Sequence, residues 1–228
     1  MTAYPETIDN AWDILYRDYP EIYDAFASFP YSPGVLEVVR ERFDLVSKAI
    51  LDLGAGGGQT ALPLARVAAQ VVAVEPEPAM RAIGERQARE QGIENVTFLA
   101  GDASTIPLPE GAVDVVMAIT APLEVEEALR VVRRPGLLLQ VDVAPGCYGG
   151  ELAAIIDHPT PELEDTSQRL IADEGFSAMD FTSVQEYGTQ DAILRTYGFI
   201  FGPRAIARLK QTGQTSIRWT FRIHYRYV

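Results

Sequence analysis

Ile50-Leu51-Asp52-Leu53-Gly54-Ala55-Gly56-Gly57-Gly58 is the stretch on which the fold turns. An apolar run that ends on glycines reads as a strand followed by a tight turn, because glycine accepts backbone conformations and close ligand approach that a Cβ forbids. A glycine turn after a first strand is a generic nucleotide-site signal of doubly wound α/β sheets. Two details narrow the reading. The dinucleotide fingerprint G-x-G-x-x-G fits Gly54 and Gly56, but Gln59 stands where its last glycine belongs. Asp52 lies on the strand shortly before the first glycine. A carboxylate there would repel a pyrophosphate and would suit a ligand with a cationic amino group.

Downstream, apolar strands alternate with helical stretches. Strands are expected at 49–53, 70–74, 96–100, 113–119 and 137–143, with helices at 59–69, 77–91 and 124–133. Continuous apolar strands separated by helices indicate a parallel sheet covered on both faces. Right-handed crossovers then make it doubly wound. Beyond 145 the texture changes: a helix at 161–174, a strand at 176–187, and helical pieces at 191–199 and 204–210 separated by Gly202-Pro203. The last segment, 216–228, alternates cleanly. Ile217, Trp219, Phe221, Ile223, Tyr225 and Tyr227 point one way, and Arg218, Thr220, Arg222, His224 and Arg226 the other. That is a half-buried strand, expected to close the sheet antiparallel to its neighbour.

Residues 5–45 read as helical. Trp12, Tyr16, Tyr19, Tyr23 and Phe26 recur at helical spacing and form one stripe. The stripe either packs on the body or forms a lid whose aromatic faces meet a cationic cofactor. Two units are expected: a helical cap over 1–45 and a single compact domain over 46–228.

Two further signals follow the glycine turn. Glu75 ends the strand Val71-Val72-Ala73-Val74, about 20 residues past the turn, where an acid takes hydrogen bonds from ribose hydroxyls. Asp102 follows the third strand in Phe98-Leu99-Ala100-Gly101-Asp102-Ala103. It could accept a hydrogen bond from an adenine amino group, or it could serve as a cap or turn residue.

These three blocks, in this order and spacing, resemble class I S-adenosylmethionine (SAM) dependent methyltransferases, in the small-molecule group that includes ubiquinone and menaquinone biosynthesis enzymes. The resemblance covers roughly residues 45–145. It implies a Rossmann-like doubly wound α/β fold with a seven-stranded sheet, mostly parallel with an antiparallel last strand, plus an N-terminal helical lid. It implies SAM as cofactor and S-adenosylhomocysteine as product. On this chain, the Gly54, Ala55 and Gly56 backbone would face the methionine portion, and Asp52 would support that loop and the amino group. Glu75 would bind ribose, Asp102 with Ala103 would bind adenine, Pro76 and Met80 would pack around the adenosine, and Ile119 would sit beside the cofactor. After the fourth strand this chain has Thr120-Ala121-Pro122, where many members of that group carry a polar or histidine-bearing loop. It also lacks the Asn/Asp-Pro-Pro-aromatic signature of enzymes that methylate nucleobase amines.

Composition bounds the remaining options. The chain has 228 residues, 47% hydrophobic and 22% charged, ordinary values for one folded α/β domain. No apolar run reaches the roughly 20 residues of a membrane helix, and the N-terminus lacks a secretory pattern, so a cytoplasmic location is expected. The net charge of −13 opposes a nucleic-acid partner. Cys147 is the only cysteine, which excludes an internal disulfide and a cysteine metal cluster; no metal is expected. The expected partner is a small-molecule methyl acceptor, without nucleic acid or membrane, and a homodimer is left open. Methyl transfer from a sulfonium relies on alignment and dryness more than on a catalytic dyad, so no catalytic residue is assigned. Thr120, Tyr148 and Glu151 are base candidates by position on the strand-end loops. His158 and His224 read as structural ahead of catalytic. Tyr197, Phe199 and Phe201 read as core ahead of an acceptor pocket. The arginine row on the last strand reads as internal salt bridging ahead of an anion site. The competing functions are a SAM-binding protein without transfer activity, a protein or nucleic-acid methyltransferase, and a nicotinamide-dependent oxidoreductase.

Overall fold

The apolar strands are buried on both sides, so each needs a layer of helices above and below. A computed structural model describes residues 19, 20, 24, 31–156 and 161–228. Among these, α1 spans Tyr31–Arg42, β1 Ala49–Leu53, α2 Ala61–Ala65, β2 Gln70–Val74 and α3 Pro78–Glu90. Then come β3 (Val96–Leu99), β4 (Val113–Ile119), α4 (Val125–Val131) and β5 (Val132–Val143). A short 3-10 turn (Gly150–Leu152), α5 (Pro161–Ala172), β6 (Ser177–Glu186), α6 (Gln190–Thr212) and β7 (Ser216–Tyr227) complete the chain. Trp12, Tyr16, Tyr23, Phe26 and His158 lie outside the described residues, as does the side chain of Phe199.

The seven strands form one sheet in the order β3-β2-β1-β4-β5-β7-β6. β1 pairs parallel with β2 and β4, β2 with β3, and β4 with β5. β7 runs antiparallel to both its neighbours, inserted between β5 and β6. The class I methyltransferase sheet, with its antiparallel last strand, is therefore the observed one. Alternate side chains feed two cores. One holds Ile50, Val71, Met117 and Leu139, covered by α1, α2 and α6 residues such as Val35, Leu64 and Tyr197. The other holds Leu51, Val72, Val116 and Leu138, covered by α4 and by Leu170 of α5.

Two elements differ from the expectation, and the break expected at Gly202-Pro203 is present. α2 is only one turn long, Ala61–Ala65 rather than 59–69: Pro63 has no N–H for the Gln59 carbonyl at its start, and past its end the Val67 N–H turns back to the Leu64 carbonyl three residues earlier. β5 starts at Val132, five residues earlier than the apolar run suggests: Arg133, Arg134 and Pro135 stay exposed while pairing continues beyond them. α6 is broken where Gly202 leaves the helical region at φ 77° and Pro203 starts the second piece. No described helix is long and apolar enough to cross a membrane.

The order places the site. The chain builds outward from β1 to β3, then returns to β4 beside β1 and builds the other way. The loops after β1 and β4 therefore part at their carboxyl ends, and such switch points open ligand crevices.

Candidate active site

The β1 turn is held open by backbone bonds. The N–H groups of Gly54 and Ala55 both donate to the Val74 carbonyl, at 2.8 and 3.1 Å. Gly54 takes φ +68°, and a Cβ there would collide with the side chain of Ala121 in the loop after β4. Only glycine satisfies both the left-handed backbone and the close approach. Gly56, also left-handed, donates its N–H to Glu75 Oε2 at 2.9 Å. The other Glu75 oxygen accepts the Glu77 N–H at 2.9 Å. Glu75 is thereby braced across the mouth of the turn, though burial still raises its carboxyl above the usual range.

Asp52 lies beneath the turn, 1% exposed. The Ala61 N–H helps its charged form, but Oδ2 has no hydrogen-bond partner among the described residues. Burial and the neighbouring Glu75 charge push this carboxyl up to about 8. Arg81 is the cation that acts on Glu75, whereas Asp52, with one oxygen unpartnered among the described residues, is complementary to a positive ligand group.

The remaining expected residues are distributed around this centre. Met80 is fully buried and Pro76 exposed. The Glu75 and Pro76 carbonyls both accept from Arg81 Nη1, at 2.6 and 2.7 Å. Asp102 is exposed, and its Oδ1 accepts from the Ser104 N–H and hydroxyl and the Thr105 N–H. Those bonds pull its carboxyl below the usual range and hold the turn that carries half-buried Ala103. Ile119 is buried at the end of β4. Thr120 then turns at φ 51° and donates its N–H to the Val141 carbonyl at 2.7 Å.

Several residues outside these sequence blocks join the site. Gln59, read above only as a departure from the dinucleotide fingerprint, donates to Asp24 Oδ1 at 2.6 Å, and Gln87 donates to Asp24 Oδ2 at 3.2 Å. Asp24 sits on Gly57, where an added Cβ would stand 2.7 Å from Oδ1. Between the β4 loop and α5 lies a cavity of about 310 Å³. Ala121, Pro122 and Leu123 wall it, Thr120, Gln140 and Asp142 floor it, and Glu124, Thr166 and Arg169 stand at its rim. Gln140 and Asp142 carry the signal that could have revealed them: two polar residues at strand period in an otherwise apolar run, pointing to one face.

Other candidates fall into structural roles. Tyr148 stacks edge-on against Phe201, and Glu151 accepts from Gln214 at 2.9 Å. Tyr197 and Phe201 belong to the core beside Trp219, and the Tyr197 hydroxyl donates to the Gly149 carbonyl. His224 is buried, with Nε2 2.9 Å from the Ser167 hydroxyl. Burial and Arg222 lower its pKa to about 4, so it is neutral at pH 7. Arg222 grips Asp180 through two nitrogens, at 2.7 and 2.9 Å. Arg226 donates to the Glu174 carbonyl at 2.8 Å. Both are committed to internal pairs. Among the described residues no three His, Cys, Asp or Glu side chains could gather on a metal ion.

A sheet in this order, with an acid-braced glycine turn at its switch point, is the Rossmann-like fold of class I methyltransferases. Residues 50–136 match a family model described as a methyltransferase domain. The chain is 29% identical over 113 residues to the uncharacterized methyltransferase YcgJ of Bacillus subtilis, covering 50% of this chain and 42% of that protein. It is 46% identical over 71 residues to the demethylmenaquinone methyltransferase of Thermus thermophilus, covering 30% of this chain and 32% of that protein. These matches span less than half the length of either curated relative. The crystal structure of a SAM-dependent methyltransferase from Aquifex aeolicus shares the fold, with a TM-score of 0.59 at 20% identity over 92% of this chain and 98% of that one. The match over residues 50–136 is thus to a methyltransferase domain, and the fold is that of SAM-dependent methyltransferases. SAM is the cofactor of this domain class, and the residues present fit it: Gly54 and Gly56 give the turn a left-handed backbone, and Asp52 Oδ2, without a partner among the described residues, offers an acceptor to an ammonium group.

Proposed function

We propose that the protein transfers the methyl group of SAM to a small-molecule acceptor. The observation that carries this reading is the buried carboxylate of Asp52, one oxygen unpartnered, beneath the glycine turn and next to braced Glu75. When bound, SAM supplies an electrophilic methyl group on a sulfonium whose departure leaves a neutral thioether. The chain's own work is then binding, alignment and exclusion of water.

In this reading Asp52 takes the cationic amino group and regains its charge in doing so. The Gly54, Ala55 and Gly56 backbone faces the methionine portion. Glu75 keeps lone pairs for the ribose hydroxyls after receiving its two backbone N–H groups. Asp102 spends Oδ1 on its own turn and has Oδ2 for the adenine amino group, with Ala103 alongside. Pro76 offers an exposed ring to the adenosine, Met80 supports it from beneath, and Ile119 closes the floor. A small acceptor is supported by the net charge of −13, which repels nucleic acid, and by a half-open cavity of about 310 Å³ beside the turn. The Thermus thermophilus relative is named for demethylmenaquinone, itself a small molecule.

Calorimetric titration with S-adenosylhomocysteine, with NADH as control, tests the cofactor. Binding of the first and not the second, much weakened in Glu75→Ala, is expected. Binding of NADH, or of neither, overturns the reading.

A further inference from the structure

The cavity between the β4 loop and α5 adjoins the cofactor turn through a single residue. Ala121 stands where a side chain on Gly54 would have to go, and its carbonyl accepts from Gln140 Nε2 at 3.4 Å. The floor is polar in a place where apolar packing is the rule. Gln140 is 4% exposed, and its Oε1 has no hydrogen-bond partner among the described residues. A buried acceptor without a partner is costly, so it needs a compensating use. Asp142, two residues on and on the same face, spends Oδ1 on the Val143 N–H at 2.7 Å. Burial raises its carboxyl to about 6.

The charges around this floor set the ligand's polarity. Asp142 and Glu124 are acceptors. Among the described residues Arg169 is the one cation lining the cavity, and its Nη1 lies 3.6 Å from Glu174. His224 and Arg222, paired in register with Gln140 and Asp142, face the same side; Ser167 engages His224 Nε2, leaving Nδ1 without a partner among the described residues, and Asp180 and Ser167 engage Arg222. Buried Gln140 Oε1 and half-buried Asp142 thus present acceptors to the cavity, and Ala121, Pro122 and Leu123 add an apolar lining.

We propose that this cavity seats the methyl acceptor, and that it selects a small molecule with an apolar body and a hydrogen-bond-donating head, neutral or cationic, held by Gln140 and Asp142. The assignment rests on the methyltransferase reading and deepens it. The apolar body lies against Pro122 and Leu123. The O–H or N–H head donates to Gln140 Oε1 and to the Asp142 carboxylate. An anionic head is rejected, because it would face Asp142 and leave Gln140 Oε1 still unpaired.

Three probes with the same ring and different heads separate the possibilities: benzylamine, benzyl alcohol and benzoate. Their binding to the full chain is measured by saturation-transfer NMR and calorimetry, with and without S-adenosylhomocysteine. Benzylamine and benzyl alcohol are expected to bind, and benzoate at least about tenfold more weakly. Gln140→Leu and Asp142→Asn are each expected to weaken benzylamine about tenfold or more, the loss of one buried hydrogen bond to a charged head. Their affinity for S-adenosylhomocysteine should not change. Should Gln140→Leu fail to fold, Asp142→Asn and the cavity-filling Thr166→Trp decide. Equal binding of benzoate, no binding of any probe, or probe binding indifferent to all three variants overturns the assignment. Loss of S-adenosylhomocysteine binding in the wild type would instead overturn the methyltransferase reading.

Discussion

Asp52, buried, and Asp142, half-buried, are acids at the carboxyl ends of two strands, and they differ in company. Asp52 stands beside a second acid, Glu75, and has only one backbone N–H in its favour. Asp142 stands beside a neutral amide, Gln140, and the Val143 N–H helps its charged form. The first carboxyl is pushed up to about 8 and the second to about 6. Two acids side by side want a cation; an acid beside an orphan amide oxygen wants a hydrogen-bond donor. One sheet edge thus presents two subsites of different electrostatic appetite, separated by the contact of Ala121 with Gly54.

Four substitutions probe that division. The largest effect is expected from Gly54→Val, which must place a β-branched residue at φ +68° and drive its side chain into Ala121. Both subsites should suffer: no detectable S-adenosylhomocysteine binding by calorimetry, and a melting temperature several degrees lower. Glu75→Ala should act on the cofactor subsite alone. Removing a buried carboxylate that receives the Gly56 and Glu77 N–H groups is expected to weaken S-adenosylhomocysteine about a hundredfold, at about 1.5–3 kcal/mol per charged hydrogen bond. Benzylamine affinity should be unchanged, and a parallel loss there would deny that the subsites are separate.

Asp52→Asn should weaken S-adenosylhomocysteine about tenfold yet stabilise the ligand-free protein. The sign follows from linkage. Between its ordinary pKa of 3.8 and about 8, the folded chain holds a proton on Asp52 that the unfolded chain has released. The wild type therefore loses stability as pH rises through this window, and the loss is complete above about 8. The asparagine variant lacks that slope. Its melting-temperature advantage should be absent near pH 4 and grow up to pH 8; a constant difference would refute the assignment. Asp142→Asn should show the same sign over a shorter window, ending near pH 6, and this is the smallest of the four effects. Thermal melts across pH 4–9 compare the two directly.

The strands at 49–53, 70–74 and 113–119 and the acids Asp52, Glu75 and Asp102 are legible in one dimension. Their signals are local: an apolar run, a glycine turn, an acid at a strand end. The continuous burial of parallel strands writes itself into composition. The same locality makes the clean alternation of β7 readable, although its place inside the sheet, between β5 and β6, is not. The pairing of Gln59 and Gln87 with Asp24 joins segments far apart in the chain, and nothing in either segment announces the other. Gln140 and Asp142 were visible as polar interruptions of an apolar strand, but their meaning depends on what faces them.

By itself, then, the sequence determined the sheet's builders, the glycine turn and the acids that ride on it, because each is dictated by backbone conformation and nearest-neighbour chemistry. Only the tertiary structure decided that Asp52 has an oxygen unpartnered among the described residues, that Asp102 braces its own turn, that Arg222 and Arg226 are consumed internally, and that Gln140 opens on a cavity. The physical reason is that desolvation and hydrogen-bond satisfaction belong to a group's whole surroundings, and those surroundings are assembled from β4, β5, β7 and α5, elements the chain brings together only by folding.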